Sequence, residues 1–304
     1  MSTIEQALAK QQASKMHEVQ LESKLEETVE QQKEPQRHAE IESPQINSPI
    51  DVLAKKNSIE LNLAKLIKHD YIVPGQEESS YILQEQFRQI KRKLLNNAFG
   101  VVAKTLENPN LIMITSAKAN EGKTFISINL ALSIALEQDK QVLLVDADVL
   151  KPSVLHEFGL SAKSGLIEYL LGKNEQLSDI IYHTNINNLK IIPAGTPHYL
   201  SNELLASERM ATLTKELSTR YPDRIVIFDS PPLLGVTETP VLACLMGQAL
   251  IVVEENKTSL NQVNQANALL PDVLAKGLVI NKAIHSQREI YGYYGYGYGS
   301  KPAN

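Results

Sequence analysis

The sequence predicts an α/β fold with a doubly wound, mainly parallel sheet covered by helices on both faces. Two observations support this prediction. Short, almost continuous apolar runs recur between residues 111 and 281, and segments of helical length with apolar residues at helical spacing separate them. Strands that are apolar throughout are buried on both faces, and the helices between them supply the crossovers that parallel pairing needs.

The predicted elements follow one another along the chain. The apolar runs are LIMITS, QVLLVDAD, LKIIPAG, RIVIFDSPP, ALIVVEE and GLVINKA. One predicted helix begins at Lys123 and ends near Glu137, a second covers NELLASERMATLTKEL, and a third follows Thr258. Before the first run, SIELNLAKLIKHDYIVPG predicts a helix that packs on the domain and is ended by the proline and glycine.

Composition divides the chain into three parts. Residues 1–58 contain no aromatic residue and are rich in Gln, Glu, Lys and Ser, so we expect a mobile N-terminal arm. Within this arm, TIEQALAK places Ile4 and Leu8 on one helical face, which indicates either a short docking helix or a chance pattern. Residues 59–285 are the predicted globular domain, and residues 286–304 are a predicted flexible tail.

Charge and composition exclude several function classes. The formal net charge is −5 and the basic residues are scattered, which argues against binding of nucleic acid. Cys244 is the only cysteine, so an intrachain disulfide or a cysteine zinc site cannot form. The N-terminus lacks the pattern of a signal peptide, and the longest apolar stretch, VLACLMGQALIVV, has 13 residues. We therefore expect a cytoplasmic protein.

The segment AKANEGKT follows the first predicted strand and opens a helix. It meets the phosphate-loop pattern G-x-x-x-x-G-K-[ST] at Gly122, Lys123 and Thr124, with Ala117 in place of the first glycine. Backbone N–H groups of residues 120–123 would bind the β-phosphate of ATP at the helix N-terminus. The lysine would reach the β- and γ-phosphate oxygens, and the threonine hydroxyl would ligate Mg²⁺. An ordinary turn with a helix cap is the alternative.

Carboxylates end two further predicted strands. Asp146 and Asp148 close VLLVDAD, two residues apart and therefore on the same side of an extended chain, and Asp229 closes RIVIFDSPP. In an open parallel sheet these strand ends converge on the crevice that also holds the phosphate loop. We interpret Asp229 as a Walker B magnesium residue, and the other two as groups that hold metal-bound water or accept a proton. Helix N-capping is the alternative for each aspartate.

Together these motifs carry a family resemblance. AKANEGKT, VLLVDADVLKPSVLHEFGL and DRIVIFDSPPLL resemble the Walker A, A′ and B motifs of the bacterial tyrosine kinases (BY-kinases) of exopolysaccharide assembly, and look most like the stand-alone, exosortase-associated or EpsG-type autokinases. The resemblance covers about residues 59–304 and includes the tail YGYYGYGYGS, which holds five of the eleven tyrosines. It implies that a neighbouring subunit in a ring phosphorylates Tyr291, Tyr293, Tyr294, Tyr296 and Tyr298.

The resemblance also implies a set of site residues. The expected catalytic residues are Lys123, Asp146, Asp148 and Asp229, and the expected ligands of Mg²⁺ are Thr124, Asp146 and Asp229. ATP is expected to contact Asn120, Glu121, Gly122, Lys123, Thr124, Phe125 and Asn281. For Asn281, in GLVINKA, the implied contact is with adenine, and simple capping of the strand is the alternative.

A helix that joins subunits is a further implication. The family has an E-x-x-R-x-x-R pattern on this helix, and EQFRQIK partly matches it. The corresponding residues are Glu85, Arg88, Lys91 and Arg92, where lysine replaces the last arginine or Arg92 supplies it one residue late. A solvated polar stripe on a surface helix is the alternative.

The resemblance predicts an ATP-dependent protein-tyrosine autokinase that regulates polysaccharide polymerisation or export. Its expected partners are other copies of the chain, a separate membrane chain-length determinant protein that activates it at the inner membrane face, and a tyrosine phosphatase. Lys118 has the spacing of the signature lysine of MinD/ParA ATPases, and the shared loop indicates a P-loop NTPase fold of the MinD/ParA-like (deviant Walker) group. A MinD/ParA-like switch ATPase and a nucleotide-sensing scaffold with a Tyr/Gly tail are therefore the alternatives.

Overall fold

Eight strands form one sheet in the described part of the chain, which comprises residues 57–74, 81–161, 163–220 and 223–284 of a computed structural model. The strands are β1 (Ser58–Ile59), β2 (Leu111–Ser116), β3 (Gln141–Asp146), β4 (Tyr182–Thr184), β5 (Leu189–Ile192), β6 (Arg224–Asp229), β7 (Gln248–Glu254) and β8 (Ala275–Asn281). Their order across the sheet is β1-β4-β5-β3-β6-β2-β7-β8, and only β4 and β5 pair antiparallel. The prediction of a mainly parallel sheet is confirmed.

Helices cover both faces of this sheet. In chain order they are α1 (Leu63–Lys68), α2 (Tyr81–Phe99), α3 (Lys123–Ala135), α4 (Val154–Glu157), α5 (Leu166–Leu170), α6 (Ser201–Leu205), α7 (Glu208–Thr219), α8 (Glu238–Ala243) and α9 (Leu260–Ala268). Alternate residues of β2 enter two separate apolar cores, with Ile112 in the core that includes α2 and α3, and Met113 in the core that includes α7 and α9. This two-sided burial makes the fold doubly wound.

Two details of the predicted elements differ. The segment NELLASERMATLTKEL, predicted as one helix, forms α6 and α7 because the Ser207 side chain accepts a hydrogen bond from the Met210 N–H over 3.2 Å and caps a new helix. Strand β1 begins at Ser58, the last residue of the predicted arm, where the Asn57 side chain also donates to the Ser178 and Asp179 carbonyls. The rest of the arm, its possible docking helix and the tyrosine-rich tail lie outside the described residues.

Helix α2 carries the residues predicted to join subunits. Lys91 is buried, and its ammonium forms a 2.5 Å ion pair with Glu137 and donates to the Ser133 carbonyl over 3.1 Å. Glu85 and Arg88 pair with each other on the same helix. Lys91 therefore ties α2 to the end of α3, and the role of the stripe in oligomer contacts stays a prediction. None of the described helices has the length and apolarity needed to cross a bilayer.

Candidate active site

A cleft of about 840 Å³ opens at the carboxyl edge of the sheet. Strands β3, β6, β2 and β7 are neighbours, so the loops that follow them meet at this edge. Side chains of His69, Lys118, Lys123, Lys151 and Lys282 line the cleft, whereas Asp148 and Glu157 are the acidic residues of its lining. This excess of positive charge suits an anionic ligand such as a polyphosphate.

The loop between β2 and α3 has the backbone shape that phosphate binding requires. Asn120 and Gly122 have φ values of 68° and 93°, which turn successive N–H groups towards one side. The Asn281 side chain donates to the Glu121 carbonyl over 2.9 Å, and a Cβ on Gly122 would lie 2.0 Å from the same amide nitrogen. Glycine is therefore needed at this position for both its φ angle and the close approach of β8.

Lys123 is held by a carboxylate at the floor of the cleft. Its Nζ lies 2.6 Å from Asp148 Oδ2, and the side chains are 11% and 4% exposed. Burial alone would lower the lysine pKa, but the negative charges of Asp229 and Asp148 outweigh this effect and raise that pKa. The lysine therefore remains a cation that can exchange its carboxylate partner for a phosphate.

Asp229 forms the centre of a cluster of hydroxyl groups. Thr124 donates to its Oδ2 over 2.7 Å, and Ser127 donates to its Oδ1 over 3.1 Å. The Ser153 hydroxyl lies 2.8 Å from the Thr124 hydroxyl. Burial raises the pKa of Asp229 to about 6, although Lys123 and the hydroxyl donors lower it.

Asp146 lies beside Asp229 and has one oxygen without a partner. The two residues are register partners on β3 and β6. Asp146 Oδ2 accepts from the N–H groups of Ser153 and Val154 at 3.2 and 3.1 Å, whereas its buried Oδ1 has no hydrogen bond. Burial, followed by the charge of Asp229, raises the pKa of Asp146 well above its usual range.

These groups fit a magnesium ion. Mg²⁺ is usually held by one or two carboxylates and by the phosphates of a nucleotide, and it keeps several water ligands. Thr124 and Asp229 would supply oxygen ligands, and these oxygens already form a hydrogen bond. Asp146 has a buried oxygen without a hydrogen bond and a raised pKa, so a cation here would reduce the repulsion between the carboxylates. Within the described residues no group of three His, Cys, Asp or Glu side chains could hold a metal alone.

Comparison with known proteins identifies the family. Residues 109–284 match the AAA domain family. A putative tyrosine-protein kinase, CapB of Staphylococcus aureus, is 30% identical over 247 residues, which cover 80% of this chain and 99% of that protein. The tyrosine-protein kinase YwqD of Bacillus subtilis is 33% identical over 220 residues, which cover 72% of this chain and 89% of that protein. The chain belongs to the bacterial tyrosine-protein kinases.

A solved structure agrees with this assignment. The kinase domain of the Escherichia coli tyrosine kinase ETK superimposes with a TM-score of 0.57 at 26% identity, covering 89% of this chain and 91% of that chain. The predicted doubly wound α/β fold of a P-loop NTPase is therefore confirmed. So is the prediction that the protein is a protein-tyrosine kinase with a nucleotide-binding fold.

The structure of the kinase brings most of the predicted site residues together. Lys123 contacts Asp148 at 2.6 Å, Thr124 contacts Asp229 at 2.7 Å, and the pairing of β3 with β6 places Asp146 beside Asp229. Glu121 differs in the direction of its side chain, which is buried and accepts from the Lys118 N–H at 2.7 Å and from the Thr258 hydroxyl. Its carboxylate therefore stabilises the loop, and Glu121 is not among the described residues that line the cleft.

Three other predicted positions also have defined surroundings. Phe125 lines the cleft, and its ring centroid lies 5.3 Å from that of Tyr71. Lys118 lines the cleft near the Lys257 carbonyl, with its Nζ 3.4 Å away, and its role as a signature lysine stays a prediction. The contact of Asn281 with adenine likewise stays a prediction.

Sequence reasoning missed several residues of this site. Ser127 lies one helical turn after Lys123, and that spacing is a signal that could have been read. Lys282 donates to the Asn120 carbonyl over 2.8 Å and pairs with Glu254 at 3.0 Å, which no local pattern could indicate. Ser153 is a third, placed against Thr124 by the turn after β3.

Proposed function

We propose that the kinase is an ATP-dependent autokinase that phosphorylates the tyrosine-rich tail of a neighbouring copy. One observation carries this proposal: β8 ends against the phosphate loop, where the Asn281 side chain lies 2.9 Å from the Glu121 carbonyl. Lys282, the next residue, lines the cleft that would hold ATP, and the predicted tail follows it in the sequence from residue 286. Its 19 residues could span at most roughly 60 Å, which is enough to reach a neighbouring subunit in a ring.

The transfer step follows from the arrangement of charges. Lys123 exchanges Asp148 for the β- and γ-phosphate oxygens, and backbone N–H groups of the loop bind the β-phosphate. Thr124, Asp146 and Asp229 would hold Mg²⁺, which supplies neutralisation of phosphate charge. The tyrosine oxygen forms a bond to the γ-phosphorus while the bond to the ADP oxygen breaks.

A carboxylate is needed to accept the phenol proton. The ordinary pKa of tyrosine is about 10, so the phenol is a weak nucleophile at neutral pH. Asp146 is one candidate for this role in a state where it does not ligate the metal, because its buried Oδ1 has no hydrogen bond and could accept the proton. Asp148, freed when the lysine binds phosphate, is the second candidate.

We further propose that tail phosphorylation regulates polysaccharide polymerisation or export at the inner membrane face. Repeated phosphate groups on the tails would repel one another and open a ring of subunits. The exposed residue Arg92 and the Glu85–Arg88 pair are candidates for the ring contact on α2. A separate membrane chain-length determinant protein would activate the kinase, and a tyrosine phosphatase would reverse the reaction.

Mixing two variants tests the mechanism. A Lys123→Met subunit with an intact tail is incubated with labelled ATP and an active subunit in which all five tail tyrosines are phenylalanine. Label on the tail of the first subunit, located by mass spectrometry, is expected only in the mixture, and each variant alone is the control. A mixture that associates but stays unlabelled, while free phosphate is released, would instead support a switch ATPase, favoured by the position of Lys118 on the cleft.

A further inference from the structure

Strand β8 is an edge of the sheet and presents unpaired backbone groups. It pairs only with β7 in the described part of the chain. The Ala275 N–H donates to the Gly247 carbonyl, and the Asn281 carbonyl accepts from the Glu255 N–H, so both residues direct their backbone towards β7. In a parallel strand alternate residues face opposite edges, so Leu278 and Ile280 direct their N–H and C=O groups outwards.

The apolar layer of the sheet continues onto this edge. Leu278 and Ile280 lie beside the buried residues Ile251 and Val253 of β7, yet they are 52% and 60% exposed. Val279, on the opposite face, is partly buried in the other core. An open edge strand with exposed apolar side chains is a template for the addition of another strand.

We propose that residues 294–298 of the same chain dock on this edge as an antiparallel strand. In YGYYGYGYGS, Tyr294, Tyr296 and Tyr298 alternate with glycines, which is the two-residue period of a strand. Paired with β8, these rings would cover Leu278 and Ile280, since aromatic residues beside branched apolar ones are favourable cross-strand pairs. The glycines would lie on the other face.

The short connection between β8 and residues 294–298 favours this segment as the added strand. The segment follows β8 after only 12 residues, 282–293, which suffice to turn the chain back, because a neighbouring strand lies only about 4.8 Å away. Residues 291–300 carry no charge, so docking on an apolar edge does not bury an ionised group. Docking would withhold three tyrosines from any active site, but it does not rest on the proposed function.

Hydrogen exchange of the full-length chain without nucleotide tests this proposal. The outward amides of Leu278 and Ile280 are compared between the wild-type chain and a variant carrying Tyr294→Ser, Tyr296→Ser and Tyr298→Ser. Their exchange is expected to be at least about tenfold faster in the variant, because a strand hydrogen bond must open before exchange. A matched control carries Tyr291→Ser and Tyr293→Ser and should retain slow exchange. The amides of Gly277 and Val279, which face β7, report whether the sheet itself is intact.

The other outcomes overturn the proposal. Equal exchange in the wild-type chain and the triple variant would show that these tyrosines do not cover the edge. Protection that falls on dilution would show that a second copy supplies the covering strand. Because the measurement requires no phosphate transfer, its outcome is independent of whether the tail is a substrate.

Discussion

Asp146 and Asp229 are register partners at the ends of adjacent strands, and both carboxyl groups are almost completely buried. Lys123 forms its ion pair with Asp148, and its charge lowers the pKa of Asp229 without cancelling the effect of burial. Burial raises the pKa of both carboxyl groups, and the charge of Asp229 raises that of Asp146 further, so the ionised pair opposes folding at neutral pH. The site thus retains unfavourable charge that a bound cation can neutralise.

The first prediction concerns Asp229→Asn. Removal of this buried charge should raise the melting temperature of the nucleotide-free protein by roughly 2–4 °C for each kcal/mol regained. The same change should lower kcat by about 10²-fold or more, since it weakens charge neutralisation at the phosphates. Thermal unfolding and phosphate transfer are measured in parallel. Glu208→Gln, on the first turn of α7, is the surface control, and a simultaneous loss of stability and activity in Asp229→Asn would contradict the prediction.

The second prediction is the dependence of stability on pH. The pKa of Asp229 rises from 3.8 in an unfolded chain to about 6 in the folded one, so the folded state binds more protons between these values. Its contribution to stability is therefore greatest below pH 3.8 and is lost as the pH rises towards 6. The difference in free energy of unfolding between wild type and Asp229→Asn should grow over this interval and level off above it. A difference that does not change with pH would refute the shifted pKa.

The third prediction concerns Lys123→Met. ATP affinity should fall at least about tenfold while the variant remains folded. The change removes the charge that binds phosphate but keeps a side chain of similar length. Calorimetry with Mg·ATP measures the loss, and Lys215→Met on the exposed face of α7 is the matched control. Wild-type affinity in Lys123→Met would remove this lysine from the nucleotide site.

The fourth prediction separates two roles of Gly122. Gly122→Ala should abolish nucleotide binding because its Cβ would meet the Asn281 amide and because alanine disfavours a φ of 93°. Adding Asn281→Ala to this variant removes the clash with the amide but not the backbone strain at residue 122. We therefore expect the double variant to recover only part of the nucleotide affinity. Asn281→Ala alone is the control. Full recovery in the double variant would show that steric contact alone sets the requirement for glycine.

The fifth prediction concerns Lys91→Met on α2. The change removes the ion-pair partner of Glu137 and one donor to the Ser133 carbonyl, so stability should fall by about 1–3 kcal/mol. Lys93→Met, at an exposed position on the same helix, should change it by less than about 0.5 kcal/mol. Denaturant unfolding measures both, together with the oligomeric state. Loss of assembly without loss of stability would favour the subunit-contact role.

The sequence was sufficient for the central strands and the phosphate loop because their signals are local. LIMITS and RIVIFD are mostly apolar and are buried along their whole length, and AKANEGKT combines its spacing with a strand before it and a helix after it. Strands β1 and β4 have two and three residues, and they are defined by pairings between distant segments rather than by any pattern. Strands that depend on pairing between distant segments were therefore harder to predict than strands with a local apolar pattern.

The same reason explains the parts of the site that were missed. Lys91 was interpreted as part of a polar stripe, but its long apolar stem lets it lie buried while its ammonium reaches the end of α3. Lys282 contacts a loop residue 162 positions earlier in the chain. Asp146 and Asp229 were found because both end apolar strands, whereas their adjacency depended on the order of strands in the sheet.

The contact between Asn281 and Glu121 joins residues that are 160 positions apart. A ribosome synthesises the loop, α3 and the three aspartates long before it adds the strand that holds the loop in place. A nascent chain that has reached Asp229 thus contains every acidic group of the site but lacks the amide that fixes the Glu121 carbonyl. Completion of the nucleotide site therefore requires synthesis of β8, so products truncated before this strand would carry the signature motifs without an assembled site.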